Sequence, residues 1–349
     1  MSEQPGTVTL IGSGETHTSG RMVFDWLMRQ LPVPVNVAIL ETPSGFELNS
    51  SLVAGRIGEF LKKHLQNYQP QVSIVPARMR GTSYSPDEPQ IISPLRTADL
   101  IFLGPGSPSY AVRQLRDSLA WWALTARQRL GSTLVLSSSA AVAAGKYTLP
   151  VYEIYKVGED LHWKAGLDFF AAHGLSLVFL PHWNNAEGGA DLDTSRCWMG
   201  KDRFQQLYGM LPPEVVVVGL DEHTSLIFDL SEETCRVMGK GSVTLLRCGE
   251  ERQLECGLTF PVRELGPFRQ PDPLTGVPLE VWDWVNEGDE HLQPGLKPSS
   301  EALALVKQRQ AARLSCDWDV ADALREQLNR LGWQVKDTSE GSRLEPGTK

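Results

Sequence analysis

A serine among small residues, a histidine after one apolar run and a carboxylate after another are the parts of this 349-residue chain best equipped for covalent chemistry. Ser139 sits behind the run Thr133-Leu134-Val135-Leu136, inside Ser137-Ser138-Ser139-Ala140-Ala141, with Val142-Ala143-Ala144 following. A nucleophile displayed on a tight strand-to-helix turn needs small neighbours, because the two backbones approach closely there. The positions two before and two after Ser139 are Ser137 and Ala141. Tight strand-to-helix packing without catalysis would select small residues as well.

His182 lies in Pro181-His182-Trp183-Asn184 after the run Leu177 to Leu180, and Asp221, Glu222 and His223 come soon after Val215 to Val218. Serine is a poor nucleophile at its free pKa, so an imidazole must take its proton and a carboxylate must hold that imidazole in the right tautomer. Asp221 and Glu222 compete for the orienting role, His223 competes with His182, and each could instead serve a turn. The N–H of Ala140, just after the expected nucleophile, and that of Gly106 in Gly104-Pro105-Gly106-Ser107 are the natural oxyanion-hole donors. Gly12-Ser13-Gly14 opens like a dinucleotide loop, but its sixth position is His17, and no Gly-x-x-x-x-Gly-Lys-Ser/Thr run occurs. Hydrolysis without a cofactor or metal is the expected chemistry.

These residues need one rim to stand on. Short apolar runs (Val8 to Ile11, Val35 to Leu40, Val72 to Val75, Leu100 to Leu103, Thr133 to Leu136, Leu177 to Leu180, Val215 to Val218) alternate with amphipathic stretches such as Met22 to Gln30, Leu52 to Leu65 and Tyr110 to Leu130. That pattern predicts an α/β fold with a doubly wound, flavodoxin-like sheet, whose site lies beyond the carboxyl ends of its strands. Closely spaced strand candidates between Ser225 and Val262 predict β-hairpins that finish the sheet, giving one domain over residues 1–264. Residues 265–298, with six prolines and the acidic stretch Glu287 to Glu290, are expected to be a linker whose Trp282 and Trp284 dock on a domain surface. Ser300 to Leu314 and Trp318 to Leu331 predict a small helical hairpin, with Ala302, Leu305, Val306, Arg309 and Ala312 on one face of the first helix, Val320, Leu324, Leu328 and Leu331 on one face of the second, and Gly332 as a stop.

A formal charge of −9 argues against a nucleic-acid footprint. The five cysteines, Cys197, Cys235, Cys248, Cys256 and Cys316, contain no Cys-x-x-Cys and point to neither a disulfide framework nor structural zinc. With no basic-then-apolar leader and no membrane-length apolar run, a cytoplasmic protein without a membrane partner is expected.

In that order these residues resemble the serine peptidase family of peptidase E and cyanophycinase, built on the class I glutamine amidotransferase-like fold, over about residues 6–262. Ser137-Ser138-Ser139-Ala140-Ala141-Val142 stands where the family writes Gly-x-Ser-Ala-Gly-Ala, Pro181-His182-Trp183-Asn184 resembles its Pro-His-Phe segment, and Gly219-Leu220-Asp221-Glu222 its Gly-Ile/Leu-x-Glu stretch. The resemblance implies a Ser139, His182, Glu222 triad, an oxyanion loop at Gly104 to Ser107, and a small acidic or isoaspartyl peptide as substrate. Recognition of a carboxylate then asks for cations, and Arg196 and Arg203, with Lys201 between them, are the candidates. The Asp-Gln-His of cyanophycinases is missing, because Leu180-Pro181 precedes His182. A glutaminase would use the same fold with a cysteine nucleophile and an acid two residues past the histidine, where Asn184 stands.

Residues from about 299 to 346, with Leu305 to Arg313, Asp317-Trp318, Ala321 to Arg325 and Gly332 to Thr338, resemble the C-terminal helical module of cysteinyl-tRNA synthetase. From Leu296 onward nine basic residues face eight acidic ones, so little counterion release on tRNA is expected. Protein docking or simple capping of the fold is the preferred role, tRNA the weaker alternative, and a non-catalytic binding or regulatory protein the competing reading of the whole chain. An exposed sheet edge or the tryptophan-bearing linker could build a homodimer.

Overall fold

A computed structural model describes residues 4–287, 300–315, 317–330, 333–338 and 341–346, and the chain divides into two compact units, Met1–Asp289 and Glu290–Lys349. In the first unit the strands are β1 (Val8–Ile11), β2 (Asn36–Leu40), β3 (Gln71–Val75), β4 (Leu100–Leu103), β5 (Thr133–Ser137), the two-residue β6 (Tyr147–Thr148) and β7 (Lys164–Ala165), β8 (Leu177–Leu180), β9 (Val216–Leu220), β10 (Thr224–Asp229), β11 (Thr234–Gly239), β12 (Ser242–Arg247), β13 (Glu250–Glu255) and β14 (Thr259–Pro261). The helices are α1 (Thr18–Met28), α2 (Ser50–His64), α3 (Pro89–Ile92), α4 (Pro108–Leu115), α5 (Leu119–Arg129), α6 (Ser139–Ala144), α7 (Gly200–Gly209) and α8 (Leu279–Glu287).

The main sheet has eight strands in the order β14-β11-β10-β1-β5-β4-β2-β3. β1 to β5 run parallel, and β10, β11 and β14 add antiparallel neighbours at one side. β1, β4 and β5 are buried along their whole length, as strands covered on both faces must be. One face is closed by α1 and α2, whose Val23, Phe24, Leu27, Ile57 and Leu61 pack with Ile39, Phe102 and Val135.

The expectation of one continuous sheet needs correction. β8 and β9 pair in parallel with each other, and β9 continues through β12 to β13 in a separate four-stranded sheet. Tyr110 to Leu130 is likewise two helices. Asp117 has a positive φ of 53°, and Ser118 caps the next helix by accepting a hydrogen bond from the Trp121 N–H at 3.1 Å.

The described part of the expected linker belongs to the first unit. Phe268 stacks on buried His173 at 5.8 Å, Arg269 N–H donates to the His173 carbonyl at 3.0 Å, and α8 buries Trp284 almost completely at 1 % exposure. Arg96 donates to the Trp284 carbonyl at 3.1 Å, so Trp284 docks as expected, whereas Trp282 is half-buried. Residues 288–298 of the expected linker lie outside the described residues.

In the second unit α9 (Ser300–Leu314) and α10 (Trp318–Arg330) form the expected pair, with Leu328 buried against Leu305, Val306 and Val335. Val320 is 46 % exposed and leaves the expected apolar face. β15 (Trp333–Thr338) and β16 (Gly341–Pro346) add an antiparallel pair that helical periodicity did not predict. Leu331 and Gly332 lie outside the described residues, and the side chain of Ala302 is not described. Among the described residues no helix is long and apolar enough to cross a membrane.

Candidate active site

β5 pairs with β1 through Ser137 opposite Ile11, so the chain leaves the sheet one residue later, at Ser138. Ser138 carries the strain of that exit, with φ 52° and ψ −114°, and α6 begins at Ser139. A side chain held in so sparsely populated a conformation projects from the turn toward the crevice. The Ser138 hydroxyl lies 3.2 Å from His182 Nε2. His182 Nδ1 lies 3.1 Å from Glu222 Oε1, completing a serine, histidine and carboxylate chain.

The hydroxyl placed beside His182 is therefore that of Ser138, one position before the expected Ser139. Ser139 is 4 % exposed and donates its hydroxyl to the Gly104 carbonyl at 3.2 Å, which ties the start of α6 to the neighbouring loop. With Ser138 at the turn, the residues two before and two after are Leu136 and Ala140, and the N–H that follows it is that of Ser139 rather than Ala140. The length of the strand was the available signal: five ladder residues from Thr133 end at Ser137 and leave Ser138 for the turn.

Glu222 rather than Asp221 reaches His182. Asp221 is buried at the end of β9, where its Oδ2 accepts hydrogen bonds from Ser242 N–H at 2.9 Å and the Ser242 hydroxyl at 2.8 Å. Glu222 is held by two asparagines that the sequence reading left unassigned: Asn185 Nδ2 donates to Oε1 at 2.9 Å, and the Glu222 N–H donates to Asn184 Oδ1 at 2.8 Å. His223 is turned away toward His17, with ring centroids 5.0 Å apart, and Ser19.

Burial pushes the His182 imidazole below its ordinary value of 6.5, and the Glu222 hydrogen bond and charge, with Glu15 and Glu187, offset only part of that. For Glu222, burial raises the carboxyl pKa, but hydrogen bonds from Asn185 and His182 and the charges of His182 and His223 outweigh it and hold the group below its usual range. At neutral pH the pair is thus a neutral base beside an ionised carboxylate. Glu15 reaches the same turn by accepting a hydrogen bond from the Ser137 hydroxyl at 3.1 Å.

Gly106 occupies a position only glycine fits. Its φ is 149°, and a Cβ there would stand 1.9 Å from the Pro43 carbonyl oxygen. Gly106, Ser138, Ser139 and His182 together line a cavity of about 340 Å³. The expected substrate cations are absent from that lining. Arg196 stacks on Trp183 at 3.8 Å and donates to its carbonyl at 3.0 Å, while Arg203 donates to the Met199 and Trp198 carbonyls at 2.7 and 3.0 Å. The backbone N–H of Lys201 donates to Asp193 at 2.9 Å. Among the described residues no group of three His, Cys, Asp or Glu side chains could hold a metal ion.

Comparison with solved structures finds the same mixed α/β fold in a peptidase. A peptidase from an acI-B1 Actinobacterium superposes with a TM-score of 0.59 at 18% identity, covering 74% of this chain and 98% of that one. A putative peptidase E protein from Listeria monocytogenes EGD-e aligns at 17% identity over 70% of this chain and 98% of that one, with a TM-score of 0.43. No curated protein matches the chain. Residues 294–343 match the family described as the cysteinyl-tRNA ligase anticodon binding domain, so the chain joins an α/β unit with a peptidase-like fold to a C-terminal segment similar to that domain.

Proposed function

We propose that the α/β unit is a cofactor-independent serine peptidase for short peptides, with Ser138 as nucleophile, His182 as general base and Glu222 as the orienting carboxylate. The observation that carries this is the unbroken chain from Ser138 Oγ through His182 Nε2 and Nδ1 to Glu222 Oε1, anchored on a strained strand-to-helix turn. The peptidase named above, with its similar fold, agrees with the reading.

Ser138 Oγ bonds to the scissile carbonyl carbon while its proton passes to His182 Nε2, and the C–N bond then breaks as that proton moves to the departing amine. Water hydrolyses the acyl-serine by the same base in reverse, returning the proton to Oγ. The backbone N–H of Ser139 and that of Gly106 are the proposed donors to the oxyanion, each contributing where charge develops. Glu222 does not change its protonation state; it fixes the imidazole ring and favours its transient positive charge.

A fluorophosphonate probe tests the proposal on the intact protein. Stoichiometric labelling mapped to Ser138 is the expected result, and labelling at Ser139 or none at all would overturn it.

For the C-terminal unit we propose protein docking. Its near-neutral charge supports this over RNA, although the family it matches is described as anticodon-binding. Micromolar, salt-sensitive binding of transfer RNA by the full chain, lost on removing residues 290–349, would overturn it.

A further inference from the structure

The cavity beside Ser138 is built by side chains the catalytic chain does not use. Val142 from α6, buried Val151, and Tyr152 and Tyr155 around the π-helical turn Glu153–Val157 line it. Cys197 and Trp198 line it as well, and Trp198 also packs on the His182 ring at 4.5 Å. Arg196, Cys197 and Trp198 all have left-handed backbones, with φ of 57°, 60° and 64°. Three consecutive non-glycine residues in that region are held there only by surrounding structure. Here the Trp198 N–H donates to the Thr194 carbonyl at 3.0 Å, Arg196 N–H to the Trp183 carbonyl at 2.9 Å, and Cys197 N–H to the His182 carbonyl at 3.3 Å. The tight turn thus fixes an indole at the wall of the cavity.

The charges of this lining lie at its exposed edge. Lys156 is exposed and lies over the Tyr155 ring at 4.9 Å, and Glu187 is exposed on the histidine side. No arginine lines the cavity. A substrate carboxylate pushed past the rim would lose its water without gaining a charge-assisted partner, whereas an apolar group would gain contact with valines and aromatic faces.

We infer that this cavity takes an aromatic or large aliphatic side chain on the residue whose carbonyl Ser138 attacks, with Trp198 and Tyr155 as specificity-determining residues. The inference rests on the proposed peptidase reading and names its substrate class. The oxyanion donors Gly106 and Ser139 line the same cavity, so a carbonyl placed between them directs the side chain of its own residue inward. Glu187 at the rim complements the free ammonium of an N-terminal residue.

The test combines dipeptide hydrolysis with probe labelling on the full chain. Phe-Ala and Leu-Ala should show kcat/KM about 100-fold above Asp-Ala, since an apolar pocket disfavours a desolvated charge far more than a change of one methylene. Tyr155→Ala, which leaves the catalytic hydrogen bonds untouched, should lower the ratio of Phe-Ala to Ala-Ala turnover by roughly tenfold; Trp198→Ala should do the same. Asp-Ala as the best substrate, or an unchanged ratio in both variants, with Ser138 still labelled by the fluorophosphonate, overturns the inference and leaves the peptidase reading standing. Failure of labelling together with no hydrolysis of any dipeptide overturns both.

Discussion

Ser138 Oγ lies 3.2 Å from His182 Nε2, although one residue follows β5 of the eight-stranded sheet and the other follows β8 of the four-stranded sheet. The proposed site is a junction between two sheets, and α6, packed against both β5 and β8, holds them at that spacing.

The three-serine run makes the proposed nucleophile experimentally separable from its neighbour. Ser138→Ala should lower kcat by a factor on the order of 10³ or more, because members of such a chain act as a unit. Ser139→Ala removes only a buried hydroxyl bonded to Gly104 and should retain most activity at some cost in stability, about 1 kcal/mol. Steady-state kinetics and denaturant melts of the two variants check both halves.

Since burial lowers the His182 pKa, the base form should dominate at neutral pH, and kcat/KM should rise through a midpoint below 6.5. Glu222→Gln should cut kcat by about 10⁴-fold. It should also move the residual acid limb to lower pH, because the hydrogen bond and charge of Glu222 are what raise the imidazole pKa. A limb that moved upward in this variant would contradict the assignment.

Asn185→Ala removes one donor to the Glu222 carboxylate. A hydrogen bond to a charged group contributes about 1.5–3 kcal/mol, so kcat should fall by about 10- to 100-fold with little change in KM. Asp221→Asn should instead act through folding, since Asp221 is bonded to Ser242 and not to His182. Comparing kcat and melting temperature for the pair separates the two roles.

His173 predicts an acid-labile fold. Burial, aided by the Arg129 charge, lowers its pKa from 6.5 to about 4. Between those values the unfolded chain binds a proton that the folded chain refuses, so stability is complete above 6.5 and falls as pH drops toward 4. The loss is on the order of 3 kcal/mol. His173→Phe, which preserves an aromatic face for Phe268, should flatten this dependence in urea melts across the same window.

A fragment of residues 1–289 should fold and keep whatever activity the full chain has, because its sheets, its cavity and the docked α8 lie within the first unit. An insoluble fragment from an active full chain would show that the C-terminal unit is needed for folding.

Much of the frame was legible in the residues alone. Apolar-rich runs marked Val8–Ile11, Leu100–Leu103 and Leu177–Leu180 to the residue, because strands buried on both faces are composed mainly of apolar side chains. The run Leu177 to Leu180 ended near His182, and Val215 to Val218 ended near Asp221 and Glu222, which brought His182 and Glu222 into view. Local pattern could not choose among Ser137, Ser138 and Ser139, since three identical side chains carry no periodicity. The pairing of β5 with β1 decided which of them occupies the turn, by extending the ladder to Ser137 so that the next residue leaves the sheet. Nor could charge in the sequence tell Arg196 and Arg203 from substrate ligands. The Arg196 guanidinium donates to the Trp183 carbonyl and that of Arg203 to the Met199 and Trp198 carbonyls, and a hydrogen-bond partner is a property of where the chain returns in space, which only the tertiary structure determines.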